Sequence, residues 1–188
     1  MKNFKLLCII IACANIFAAC KKDKSEPTEL SKLPAATQTG ANTFGCLVNG
    51  KAWVAQRNDC RIFCPLSFQV YYDGVYGGAL SIEAYKIDVQ NNVDELIQFG
   101  IDSTNFKINH EISISKKYTY ASFKNYKNVN NCSNYQHGID STVMHFGTVK
   151  LSRYDLSNGI IAGTFNFTIT KPGCETITIT EGRFDKKL

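Results

Sequence analysis

Three histidines, His110, His137 and His145, are the side chains best suited to moving protons near neutral pH, because imidazole titrates there without help from its surroundings. Cys132, His137 and His145, with Asp140, offer a mixed set of zinc donors. Their gaps of five and eight residues match no standard zinc spacing, and neither His-x-His nor His-Glu-x-x-His occurs. Ser141, His137 and Asp140 have the types of a nucleophile, a base and an orienting acid, yet the serine lacks a Gly-x-Ser-x-Gly elbow. Glu83, Asp94, Glu95 and Glu111 lie in patterns that read as solvated strand faces rather than as paired carboxylates for glycoside cleavage. Gly77-Gly78 reads as turn backbone, since no helix follows to converge its amides on a phosphate. Tyr118, Tyr120, Tyr126 and Tyr135, with Asn128, Asn130, Asn131 and Asn134, carry chemistry of another kind: flat rings and amide pairs suited to holding a sugar. The same rings are also ordinary cross-strand partners in a sheet. The expectation is a non-catalytic protein with no cofactor and no metal. Two alternatives stay open: glycan or small-ligand binding through the Tyr/Asn-rich loop 125–140, and a hydrolase or metal protein using His137 and His145.

These residues must be positioned by strands. From Phe44 onward almost every segment alternates apolar and polar residues with period two, and none carries a helical stripe for more than a turn. Asn49-Gly50 between two such runs predicts a type I′ hairpin, and Asp73-Gly74 and Asn91-Asn92 predict further turns. Over Ala79–Gln90 the apolar residues move from even positions (Leu80, Ile82, Ala84) to odd ones (Tyr85, Ile87, Val89), which predicts a bulge or a strand that changes sheets. Residues 125–140 form the one long stretch without a strand pattern. Lys171-Pro172-Gly173 fits a type II turn, and Gly182 is the place for a bulge that restores Phe184 to the apolar face of the last strand. About nine or ten short strands with frequent turns predict an all-β fold, an antiparallel β-sandwich, with a closed or partly open β-barrel as the alternative. Trp53 is expected as a large buried anchor.

Charge excludes one class of partner. The formal net charge is +5, but Lys2, Lys5, Lys21, Lys22 and Lys24 supply that excess ahead of the strand region, which is itself close to neutral. No nucleic-acid partner is expected, because phosphate binding needs positive charge gathered on one face of the folded body. Cys46, Cys60, Cys64, Cys132 and Cys174 fall in the body and are the candidate disulfide residues. Their odd number predicts at least one free thiol, and spacing alone does not choose the pairing. A Cys46–Cys174 bridge would close nearly the whole body, while Cys60 and Cys64 pair only if the chain turns between them.

The first residues are of a different kind. Lys2 and Lys5 precede an apolar run from Leu6 to Ala14 with Ile16 and Phe17, ending in Phe17-Ala18-Ala19-Cys20. The run is shorter than a bilayer span and contains Asn15. It resembles the substrates of lipoprotein signal peptidase, with Phe17 where leucine is more usual. That resemblance implies removal of residues 1–19 and a diacylglycerol on the Cys20 sulfur, with acylation of the new amino terminus. Residues 20–43 then read as a lipidated cysteine and flexible tether, poor in large apolar side chains, and residues 44–188 as one domain.

The stretches Leu33–Trp53 (LPAATQTGANTFGCLVNGKAW), Gly159–Thr168 (GIIAGTFNFT) and Cys174–Asp185 (CETITITEGRFD) resemble a family of uncharacterised Bacteroidota lipoproteins, a domain of unknown function. The resemblance implies an outer-membrane lipoprotein of the cell envelope with a β-rich body, and carries no activity. The membrane, reached through the lipid, is the expected partner, with a glycan or an envelope protein as the further partner class. Because Lys21-Lys22-Asp23-Lys24 is mostly basic rather than acidic, the periplasmic face is expected over the cell surface.

Overall fold

The alternating pattern is realised as two sheets packed face to face. The computed structural model describes residues 27–60, 64–73, 78–101, 107–114, 119–128, 130–136 and 140–188. Twelve strands are present among them, more than the expected nine or ten because several are only two or three residues long: β1 (Thr43–Val48), β2 (Lys51–Val54), β3 (Gln56–Arg57), β4 (Phe68–Asp73), β5 (Ala79–Asp88), β6 (Val93–Ile101), β7 (Glu111–Ser113), β8 (Thr119–Asn125), β9 (Asn134–Gln136), β10 (Met144–Asp155), β11 (Ile160–Thr170) and β12 (Ile177–Lys187). One sheet runs β2-β1-β12-β11-β10-β7, and the other runs β3-β5-β6-β8-β9 with β4 also on β5. The fold is a β-sandwich and no barrel closes. No helix among the described residues is long and apolar enough to cross a membrane.

Local chemistry explains where the chain turns. Asn49 and Gly50 both have positive φ, at 46° and 78°, as the type I′ turn between β1 and β2 demands. The Asn49 side chain is used as well: its oxygen accepts from Thr178 N at 2.7 Å and its amide donates to Glu175 at 2.9 Å. At Lys171-Pro172-Gly173 the Cys174 N–H closes on the Lys171 carbonyl at 3.0 Å with Gly173 at φ 75°, a type II turn. The bulge near Gly182 is present too. Across it Phe165 faces Gly182 while Phe167 faces Ile179, and Glu181 takes the left-handed conformation with φ 54°.

Aromatic rings from both sheets meet in the core. Phe44, Phe165 and Phe184 come from the first sheet, Phe68 and Phe99 from the second, with ring centroids 5.0 Å apart for Phe44–Phe165 and 4.8 Å for Phe99–Phe165. Trp53 is buried among them, and its indole N–H donates to Glu95 at 2.8 Å, satisfying the one polar atom it carries inside.

Three expectations are revised, and the open cysteine pairing is resolved. The β5 parity switch is not a bulge: β5 pairs with β6 without interruption from Leu80↔Ile101 to Asp88↔Val93. Tyr85 and Ile87 therefore lie on the outer face, and the guanidinium of Arg57 sits 5.5 Å from the Tyr85 ring centroid. The 125–140 segment contains a strand, β9, paired with β8. Cysteine pairing is Cys60–Cys64 and Cys132–Cys174, with Cys46 free and buried, so Cys46 and Cys174 do not join.

The third revision concerns the expected tether, which is bound to the body from Pro27 onward. A 3-10 turn at Glu29–Lys32, capped by Thr28, lets Glu29 accept from Ala52 N at 2.7 Å, and Leu33 is buried. Residues 37–41 then wrap the carboxylate of Asp185, only 1 % exposed, which accepts from Thr37 Oγ1 and from the N–H groups of Thr39, Gly40 and Ala41 at 2.7–3.2 Å. Beyond Leu33, polar bonds rather than apolar burial hold this strap, so a reading based on hydrophobicity passes over it. Residues 1–19 and Cys20 lie outside the described residues.

Candidate functional site

The outer face of the second sheet sets Tyr71, Tyr85 and Tyr120 among polar side chains. Register sets four residues in one row across it: Tyr71 of β4 faces Ser81 of β5, Ser81 faces Gly100 of β6, and Gly100 faces Tyr120 of β8. Because Gly100 has no side chain, the Tyr120 ring lies over it, and its hydroxyl reaches Ser81 Oγ at 2.8 Å. Tyr71 stands on the other side of Ser81, 51 % exposed. Between them is an open cleft of about 360 Å³ lined by Tyr71, Ser81, Gly100 and Tyr120, with Asp73 and Ile101 also on its wall. That volume is at the small end for ligand pockets and suits a single small ring.

The next row is polar. Gln98 donates to Glu83 at 2.7 Å, and Tyr71 donates to Gln69 at 2.6 Å. Tyr85 donates weakly to Glu83 at 3.4 Å from one row further along β5. Burial is the largest influence on the Tyr120 hydroxyl and raises its pKa, partly offset by the bond to Ser81. Tyr85 and Tyr126 are raised as well, by burial first and then by nearby carboxylates, Glu83 for Tyr85 and Asp94 for Tyr126. All three hydroxyls therefore stay protonated through neutral pH. They can donate and accept hydrogen bonds, but they are not bases.

The residues expected to bind a ligand divide between two places. Tyr120 is in the cleft, and Tyr126, 52 % exposed, begins the turn after β8 with its N–H on the Asp94 carbonyl at 2.8 Å. Tyr118 lies outside the described residues. Tyr135 is buried: its ring packs edge-on against Phe123 with centroids 6.4 Å apart, and its hydroxyl donates to the Glu175 carbonyl at 2.8 Å. Asn134 is on β9, and its carbonyl accepts from Lys171 at 3.3 Å, while Asn131 is exposed on the turn before it. Other amides of this segment hold its own backbone, Asn125 accepting from Lys127 and Asn128, and Asn130 from Cys132. With the Cys132–Cys174 bridge and the Lys171–Asp140 ion pair at 3.1 Å, the segment forms a corner that ties β9 to the turn between β11 and β12. Asn125, Asn130 and Tyr135 thus serve turns and packing, and the open aromatic surface is Tyr126 with the sheet beside it.

The acid–base candidates are scattered. His145 is on β10 with Nε2 3.1 Å from the Thr119 carbonyl oxygen, and His110 is in the turn before β7 with Nδ1 3.1 Å from the Ile108 carbonyl oxygen. His137 lies outside the described residues, and so does Gly77. Asp140 is engaged with Thr142 and Lys171, and these bonds, that to Thr142 first, lower its pKa to about 2. Glu95 accepts from Trp53 and Asn125. Among the described residues no three His, Cys, Asp or Glu side chains gather as a metal site. The sequence pattern did not single out Tyr71, Ser81 or Gly100. Only the strand register, which brings them into one row, makes them a site. No protein family, curated protein or solved structure matches the chain.

Proposed function

We propose that this protein is a lipid-anchored component of the bacterial cell envelope, held at the periplasmic face of the outer membrane through Cys20, and that it acts as a non-catalytic binding module. Its ligand is a small polyhydroxylated ring, a sugar unit, taken into the cleft between Tyr71 and Tyr120. One observation carries the binding reading: an exposed tyrosine and a ring packed over a glycine flank a hydroxyl-bearing floor at Ser81, in a space of sugar size. A sugar presents C–H faces to aromatic rings and hydroxyls to polar atoms at its rim, and this cleft offers both. The anchor reading rests on the Ala18-Ala19-Cys20 pattern after an apolar run, and the two disulfides fit an oxidising compartment.

Two measurements test it. Titration of the mature protein with simple hexoses, followed by NMR, is expected to shift the Tyr71, Ser81 and Tyr120 signals with millimolar affinity or better, and Tyr71→Ala is expected to abolish the shifts. Wild-type spectra unmoved by every hexose tried would overturn the binding reading. Cell fractionation addresses the anchor: Cys20→Ala is expected to leave the membrane fraction, and its retention there would remove that part of the proposal.

A further inference from the structure

The cleft is one end of a longer surface. From Ser81 to Tyr85 is four residues along β5, and from Tyr120 to Tyr126 six along β8 and its turn, so the second aromatic pair lies roughly 13–20 Å from the first along the strands. This second pair is distinct in character. Arg57 covers one side of the Tyr85 ring and is fixed there by Asp59 through bonds of 2.8 and 3.1 Å, whereas Tyr126 is half exposed. Between the pairs run Gln69, Glu83 and Gln98, whose amides and carboxylate are already joined to one another or to the flanking tyrosines. The row is therefore held in place before any ligand arrives, which lowers the ordering cost of binding. Glu83 and Asp94 put negative charge along the middle and far end of the surface, Asp59 offsets Arg57, and Lys124 in the Tyr85 row balances only part of the rest, so an anionic chain is disfavoured.

We infer that the ligand is an extended, uncharged oligosaccharide lying along β5 and β6, with one sugar in the Tyr71–Tyr120 cleft and another on Tyr126. This rests on the sugar-binding reading above and adds length and charge to it. A single ring fills the cleft and cannot reach Tyr126, whereas a straight, flat chain of a few rings touches both and gains from the second contact being intramolecular.

The test is calorimetric titration of the mature protein with β-1,4-linked glucose oligomers from the monosaccharide to the hexasaccharide, with an oligogalacturonate of matched length as the anionic comparison. Affinity is expected to rise at least tenfold from glucose to the hexasaccharide, and the anionic oligomer to bind at least tenfold more weakly than its neutral counterpart. In Tyr126→Ala the ratio of the glucose and hexasaccharide Kd values is expected to fall back toward unity, and in Tyr126→Phe, which keeps the ring, to persist. Glucose binding with no gain on lengthening, or a gain that survives Tyr126→Ala, overturns the extended-ligand inference while leaving the cleft reading intact. Equal or tighter binding of the oligogalacturonate overturns its charge assignment. Absence of binding by any member of the series overturns both readings together.

Discussion

Gly100 has no room for a side chain: a Cβ there would lie 2.1 Å from Cε1 of Tyr120, so the ring takes the space that a residue would fill. Gly100→Ala is expected to push Tyr120 off the sheet, break its bond to Ser81 and cost about 1–3 kcal/mol of stability by overpacking. Denaturant titration reads the stability loss, and loss of hexose-induced NMR shifts reads the site. An alanine variant with unaltered stability would mean that the ring is not seated there. Cys46 is the other residue whose chemistry is set by its surroundings. Burial raises its pKa far above the usual thiol range, only partly countered by Lys86. Iodoacetamide at mildly alkaline pH is expected to leave Cys46 unmodified in the native protein and to alkylate it after guanidinium unfolding, as read by mass spectrometry of the peptide that carries it.

At the scale of elements, turn chemistry was legible from sequence because it is local. Asn49-Gly50, Pro172-Gly173 and the bulge at Gly182 each follow from what two or three neighbouring residues can adopt. The parity switch in β5 predicts, from sequence alone, a bulge or a change of sheet. The same pattern arises when a strand outruns the core and Tyr85 is covered from outside by Arg57, a contact that no local rule contains. Within the bulge, Glu181 holds a left-handed conformation that costs a side-chain-bearing residue energy. Glu181→Gly is expected to stabilise the protein by about 0.5–1 kcal/mol, with thermal denaturation as the measurement. The two disulfides differ in leverage. Cys132–Cys174 spans 42 residues and is worth roughly 4 kcal/mol in the chain-entropy account, against roughly 2 kcal/mol for Cys60–Cys64, which spans 4. The Cys132→Ser/Cys174→Ser variant is expected to lose about twice the stability lost by Cys60→Ser/Cys64→Ser. Equal losses in denaturant titrations would contradict that ranking.

For the whole molecule, the sandwich follows from the alternation of Val, Ile, Phe and Tyr with polar residues, but the order of its strands depends on pairings far apart in sequence. Those pairings put Tyr71, Ser81, Gly100 and Tyr120 in one row, so the candidate site was only partly foreseeable, through Tyr120 and Tyr126. The strap was unforeseeable for a related reason, since its partner, Asp185, lies at the far end of the chain. Burial raises the Asp185 pKa, and the bonds from Thr37, Thr39, Ala41 and Gly40 outweigh it, leaving the carboxyl below its ordinary 3.8. A depressed folded-state value means that this contribution is fully present above the ordinary carboxylate range and is lost as pH falls through the folded value. Protection of the Gly40 and Ala41 amides, taken relative to the intrinsic exchange rate at each pH, is expected to be high at neutral pH and to fall below about pH 4, and in Asp185→Asn to be low at every pH. Equal protection in that variant would mean that the carboxylate does not hold the strap. The position of this clamp also decides where mechanical load goes. Tension applied ahead of Pro27 first meets the Glu29 contact with Ala52 on the edge strand β2, and beyond it the Asp185 clamp on β12, a central strand of the same sheet. Once both contacts release, residues 27–42 can straighten to about 50 Å in full extension before β1 itself is loaded.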